Sequence, residues 1–159
     1  MPSKLQPQDN LIYLDFAAAT HVDSRVLARM QPYFSEQFYN PSALYAPARQ
    51  VKQALEEARH QVAQLVGARP SEITFTAGGT ESVNLAVKGI AEMFSDAQIL
   101  ISAVEHEAVR KPAEVTGRHQ EIAVDKYGRV EMSDLRKKVT NDTVLISVMY
   151  ANNEVGTVQ

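Results

Sequence analysis

Residues 73–82, Ile-Thr-Phe-Thr-Ala-Gly-Gly-Thr-Glu-Ser, constrain this chain more than any other stretch. An apolar strand pattern over 73–76 runs into Gly78, Gly79 and Thr80, and a strongly apolar helix pattern follows over 83–94. A strand, a glycine loop and a helix in that order aim unpaired N–H groups and the positive end of a helix dipole at one spot. An anion, most often a phosphate, is stabilised there. A plain tight turn also uses glycines, so on this segment alone a phosphate loop and a purely geometric turn both stay open.

The rest of the chain alternates in the same way. Asp23 or Ser24 caps a helix carrying Val26, Leu27, Met30 and Phe34. It is expected to end near residues 39–41, because the residue before Pro41 avoids the helical region. Val51, Ala54, Leu55, Ala58, Val62, Leu65 and Val66 form one stripe of a second helix, with Gly67 as its stop. Residues 98–103 read as a strand. Residues 108–116 read as a helix, with Pro112 tolerable only in its first turn. A short strand over 119–124 leads to a turn at 125–128, and Ser133 caps a helix reaching about Val139. Residues 143–150 make the most apolar strand. Both of its faces are apolar, as expected of a central strand covered by helices. Strands alternating with helices imply an α/β layered fold with a mainly parallel sheet, and no repeat or low-complexity linker interrupts it.

Composition removes several functional classes. A chain of 159 residues can bury a core of its own. A net charge of -3 with no basic run argues against nucleic acid or an anionic membrane as partner. With no cysteine there is no disulfide scaffold, no cysteine metal site and no thiol nucleophile within these residues. Residues 1–10 are polar and lack a signal core, and no apolar run approaches bilayer length, so the expected location is cytoplasmic.

In parallel α/β sheets ligands bind beyond the C-terminal strand ends. Here the three ends are Gly78-Gly79-Thr80, Val104-Glu105-His106 and Ala151-Asn152-Asn153-Glu154. Together they are expected to line one crevice offering a phosphate loop, an imidazole and two carboxamides. A phosphorylated aromatic heterocycle suits that set: the ring on His106, the phosphate on Gly79 and Thr80, an amide at a ring hydroxyl. Glu105, His106 and Glu107 are consecutive and so poorly placed to converge on one ion, and no metal site is expected. His21, His60 and His119 read as solvated. A dinucleotide module would want a Gly-x-Gly-x-x-Gly loop, which Gly78-Gly79 does not supply.

Several of these residues also fall into known motifs. The stretches are Ile12-Tyr13-Leu14-Asp15, Asn40-Pro41-Ser42, Phe75 through Ala86, Glu105-His106-Glu107-Ala108-Val109 and Asn152-Asn153-Glu154-Val155-Gly156. In this order and spacing the chain resembles the N-terminal part of the cysteine desulfurases of iron–sulfur cluster assembly. These are enzymes of the class V aminotransferase superfamily that use pyridoxal 5′-phosphate (PLP). Glu105-His106 followed by Asn152 through Gly156 favours that group over the related selenocysteine lyases and aminotransferases.

The resemblance implies a fold: the N-terminal half of a fold type I PLP-dependent transferase large domain, incomplete here, with residues 1–22 as an N-terminal segment and 23–159 as the partial domain. It implies Gly79 and Thr80 as the phosphate-binding pair. His106 becomes the ring-stacking histidine that also helps move protons, and Asn153 the asparagine near the PLP ring oxygen. The reaction it implies converts L-cysteine to L-alanine and an enzyme-bound persulfide. The implied partners are a second copy or a C-terminal half, and an iron–sulfur scaffold protein.

Departures from the family pattern matter equally. The Ser-Gly-His-Lys stretch whose lysine holds PLP and the mobile cysteine do not occur in this sequence, so these residues are not expected to be active alone. Lys52, Lys88, Lys111, Lys126, Lys137 and Lys138 are expected to lie away from the crevice. Tyr45, Ala48 and residues 18–21 also differ from the usual pattern. Two further readings stay open: a non-catalytic interaction protein or remnant that kept the fold, and a portion of another class V PLP enzyme.

Overall fold

The computed structural model describes residues 12–94 and 96–159. It divides into two compact units, one running to Thr74 and the other from Phe75 to Gln159.

The first unit is helical: α1 (Ser24–Met30), α2 (Pro32–Ser35) and α3 (Ala46–Val66), followed by a 3-10 turn at Pro70–Glu72. Asp23 is the N-cap of α1, its carboxylate accepting the Arg25 N–H at 2.8 Å. The single helix expected from residue 24 to about 39 is two helices. Pro32 has no N–H to offer the Ala28 carbonyl, so α1 stops at Met30 and Pro32 becomes the first residue of α2. The predicted stop of α3 is present: Gly67 adopts φ 68° and its N–H is shared between the Ala63 and Gln64 carbonyls. That left-handed φ is the reason a glycine sits there.

Residues 73–76 were expected as a strand. Ile73 is extended, at φ -98° and ψ 125°, but no described strand pairs with these residues. The Ile73 carbonyl, which a ladder would need, accepts Arg59 Nη1 at 2.6 Å instead. Side-chain capture of a backbone group competes with the sheet.

The second unit runs α4 (Gly79–Met93), β1 (Gln98–Ser102), α5 (Glu107–Val115), β2 (His119–Ile122), α6 (Met132–Lys138), β3 (Thr143–Ser147). The sheet has the order β2-β1-β3 with both pairings parallel, Ile101 lying opposite Glu121 and Ser147. The expected parallel α/β layering is therefore observed. The centre is β1, whose residues Ile99, Leu100, Ile101 and Ser102 are fully buried. The strand expected at the centre, β3, has one described neighbour and is half-exposed, Ile146 remaining 44% accessible. An apolar run reveals that a strand can be covered, not which neighbours it finds.

One face of the sheet packs on α4 and α5. Val87 and Ala91 from α4 and Val109 and Ala113 from α5, each pair at the i, i+4 spacing of one helix face, close over Ile99 and Ile101. Arg118 ends α4, its guanidinium donating to the Phe94 carbonyl at 2.8 Å and to Ala91 at 3.2 Å. Pro112 lies in the middle of α5 and not in its first turn. It removes the donor that Ala108 would have used, and the ring is buried, so packing compensates a broken helix rule. The N-cap of α6 is Glu131, with Ser133 already inside the helix.

Asp134 on α6 accepts the Ala123 N–H at 2.8 Å and pairs with Lys138 at 2.7 Å. The Ala123 hydrogen bond first, and the Lys138 ammonium second, hold its carboxyl below the usual range. The stability this supplies is present above the unfolded-state pKa and is lost as pH falls through the lower folded value. Asp134→Asn should therefore lower the thermal midpoint at neutral pH, and the difference from wild type should disappear in acid. An equal deficit at both pH values in calorimetry would mean that the charge plays no part.

Candidate functional site

Gly78 is the N-cap of α4 and makes no side-chain cap bond. Its φ of 165° is extended backbone open to any residue, and a Cβ on Gly78 or Gly79 would meet nothing within 4 Å. Neither backbone conformation nor internal packing asks for two glycines here. What they leave is open space over the first turn of α4. Glu81 turns back to accept the Ala77 N–H at 2.7 Å, and Ser82 N–H reaches the Gly78 carbonyl at 3.1 Å. The amides of Gly79, Thr80 and Glu81 are helix-start donors of the kind an anion satisfies.

His106 caps α5. Its Nδ1 accepts the Ala108 N–H at 3.0 Å, which fixes the ring and, in the neutral form, puts the proton on Nε2. The ring lies between two cavities. One, of about 390 Å³, is lined by Thr80, Asn84, Lys88, His106, Lys111 and neighbouring α5 residues. The other, of about 380 Å³, is lined by Glu105, His106, Arg110, Met149, Asn153 and Glu154 among others. The expected single crevice is thus two cavities that share His106 and Glu107, with Thr80 in one and Asn153 in the other. Gly79 lines neither.

The two asparagines divide the work. Asn152 Oδ1 accepts the N–H groups of Glu154 and Val155, both at 2.9 Å, and its amide reaches the Val104 carbonyl at 3.4 Å. That side chain builds the turn and ties it to the exit of β1. Asn153 is exposed, lines the cavity, and has no such duty.

Sequence reasoning missed two lysines and a carboxylate. Lys88 and Lys111 were expected away from the crevice, yet both line the cavity of Thr80 and His106. The signal was present: Thr80, Asn84 and Lys88 follow at i, i+4 and i+8 on one face of α4. Lys111 is paired with Glu114 at 3.3 Å and Glu107 at 3.6 Å. Glu105 lines the second cavity with its Oε1 buried and unpartnered. Burial raises its carboxyl above the usual range, with the hydrogen-bonding Met149 N–H and Ser147 hydroxyl pulling the other way. Among the described residues no group of three or more metal-ligating side chains is clustered to hold an ion. No described helix is long and apolar enough to cross a membrane.

Comparison with known proteins places this arrangement. The family model described as aminotransferase class-V matches residues 12–159. Cysteine desulfurase IscS of Dictyoglomus turgidum is 42% identical over 158 residues, covering 93% of this chain and 39% of that protein. Cysteine desulfurase IscS of Methanosarcina thermophila is 43% identical, covering 96% and 39%. Among solved structures, a NifS-like protein superposes with a TM-score of 0.89 at 38% identity, covering 93% of this chain and 42% of its own. A structure described as SspA in complex with cysteine gives 0.88 at 34%, covering 94% and 45%. The chain spans about two fifths of the length of the curated relatives it matches.

Proposed function

The chain belongs to the aminotransferase class-V family, and from that membership we propose that it forms part of the PLP-binding portion of a cysteine desulfurase. Residues 23–159 would belong to the large domain and 1–22 to its N-terminal segment, in a cytoplasmic enzyme. The observation that carries the reading is the pair of glycines before Thr80. They have no conformational or packing reason to be glycine, and they open the start of α4 to a bulky anion.

The side chains fit the cofactor. Gly79 and Thr80 would hold its phosphate, the helix-start amides and the Thr80 hydroxyl acting as donors. His106 would lie against the ring. Asn153, free of structural hydrogen bonds, would reach a ring oxygen or the carboxylate of the substrate. PLP, when bound, withdraws electrons from the α-carbon of an amino acid. His106 has its Nδ1 committed to the Ala108 N–H, so any proton it exchanges with a ligand is held at Nε2. The proposed substrate is L-cysteine, with sulfur passed on as a persulfide toward an iron–sulfur scaffold protein and a homodimer as the working assembly. These residues contain no cysteine, so the persulfide-bearing thiol is not among them.

Titration of the chain with PLP, followed by absorbance and by loss on dialysis, tests the reading. Saturable binding of one PLP per chain, not displaced by NAD or ATP, is the expected result. Binding of either nucleotide with no binding of PLP would overturn it.

A further inference from the structure

Beyond the matched motifs, one side chain in the second cavity is built for a ligand and is given none by the protein. Glu105 follows the exit of β1 and stands next to His106. The Met149 N–H and the Ser147 hydroxyl hydrogen-bond to its carboxyl, so it receives donors from the exit of β3. Across the same gap Asn152 donates to the Val104 carbonyl at 3.4 Å. These two side chains link the strand exits beyond the last register pair, Ile101 with Ser147. Yet Glu105 Oε1 is buried without a partner, and so is Arg110 Nε; both residues line the cavity that holds His106 and Asn153. A buried carboxylate oxygen without a donor is costly unless something supplies one.

We propose that Glu105 is a ligand-binding residue of this site, whose Oε1 accepts a hydrogen bond from an N–H or O–H group of the occupant while the rest of the carboxylate holds the β3 exit in place. The proposal rests on the PLP reading above and adds a residue to it. A purely structural carboxylate would have both oxygens used by the protein; this one keeps an acceptor turned to the cavity. Its raised affinity for a proton agrees with an oxygen removed from water and not yet compensated.

Glu105→Gln separates the two roles. The amide oxygen can still accept from Met149 and Ser147, but its NH2 group replaces the free acceptor by a donor. Because burial raises the Glu105 carboxyl, the folded chain loses stability as pH rises through its titration, and the Gln variant escapes that loss. Its thermal midpoint at neutral pH should equal or exceed the wild-type value, which guards against misfolding. PLP is the probe, added to the full chain and read by equilibrium binding, with Thr80→Val alongside. The expected result is binding weaker by on the order of ten- to a hundredfold in Glu105→Gln at neutral pH. That gap should close on acidification, where the wild-type carboxyl is protonated. His106, Glu107, Arg110 and Glu154, the other charged or titratable groups lining the cavity, are common to both proteins and cancel in the comparison.

If PLP binds, Thr80→Val weakens it and Glu105→Gln matches wild type at every pH, the inference is overturned and the PLP reading stands. If wild type binds no PLP, both are overturned.

Discussion

Replacing Ile101 by alanine should cost the second unit about 2–5 kcal/mol of folding stability. Ile101 is fully buried at the centre of the sheet, under Val87 and Ala91 of α4 and Val109 and Ala113 of α5. Those neighbours are themselves small or β-branched and sit on two helices braced against each other, so they have little freedom to collapse into the space left behind. The cost then includes the lost transfer energy of the side chain and the cavity that remains. Ile146 is the natural control. It lies one strand away, opposite Leu100, but remains 44% accessible. Ile146→Ala should cost about 1 kcal/mol, since roughly half of the side chain is in water already. Chemical denaturation followed by far-ultraviolet circular dichroism measures both. Equal losses in the two variants would show that β1 is not the centre of the core.

The second large effect concerns the cofactor. Thr80→Val keeps the side-chain shape and removes the hydroxyl, and should weaken PLP binding by about 1.5–3 kcal/mol, the range for one hydrogen bond to a charged group. Folding should be unaffected, because Thr80 is exposed and its hydroxyl makes no printed contact with the rest of the chain. His106 needs a more careful replacement. Alanine would remove the ring and also the cap of α5, worth about 1 kcal/mol by itself. Asparagine can still accept the Ala108 N–H from its side-chain oxygen, so His106→Asn should fold like wild type yet bind PLP more weakly. If both variants bound PLP with wild-type affinity, the start of α4 and the His106 ring would not be the binding surface.

Much of the site was legible from the chain. The strand exits at 103–106 and 151–154 were located by hydrophobic patterning alone, and the rule that ligands sit at C-terminal strand ends brought His106 and Asn153 to one place. Two features were not legible. The paired strand over 73–76 is absent because the Arg59 guanidinium, far away in sequence, takes the Ile73 carbonyl. The role of Asn152 as builder of the turn, which leaves Asn153 free, depends on the position of Val104 in another strand. Lys88 stands between these cases: its helical spacing from Thr80 was written in the sequence, but its presence in the cavity needed α5 to supply the opposite wall.

The sequence by itself determined the local signals: the left-handed stop at Gly67, the break at Pro32, the turn at residues 125–128, and the order of helices and strands. Each of these follows from the chemistry of a few adjacent residues, which fixes φ or removes a donor regardless of what lies elsewhere. Only the tertiary structure decided that β1 and not β3 is central, that Pro112 is accepted within α5, and that Glu105 keeps an unpartnered oxygen beside His106. Those outcomes turn on burial and on which backbone groups find partners, and both are properties of segments meeting across the fold, which no local window contains.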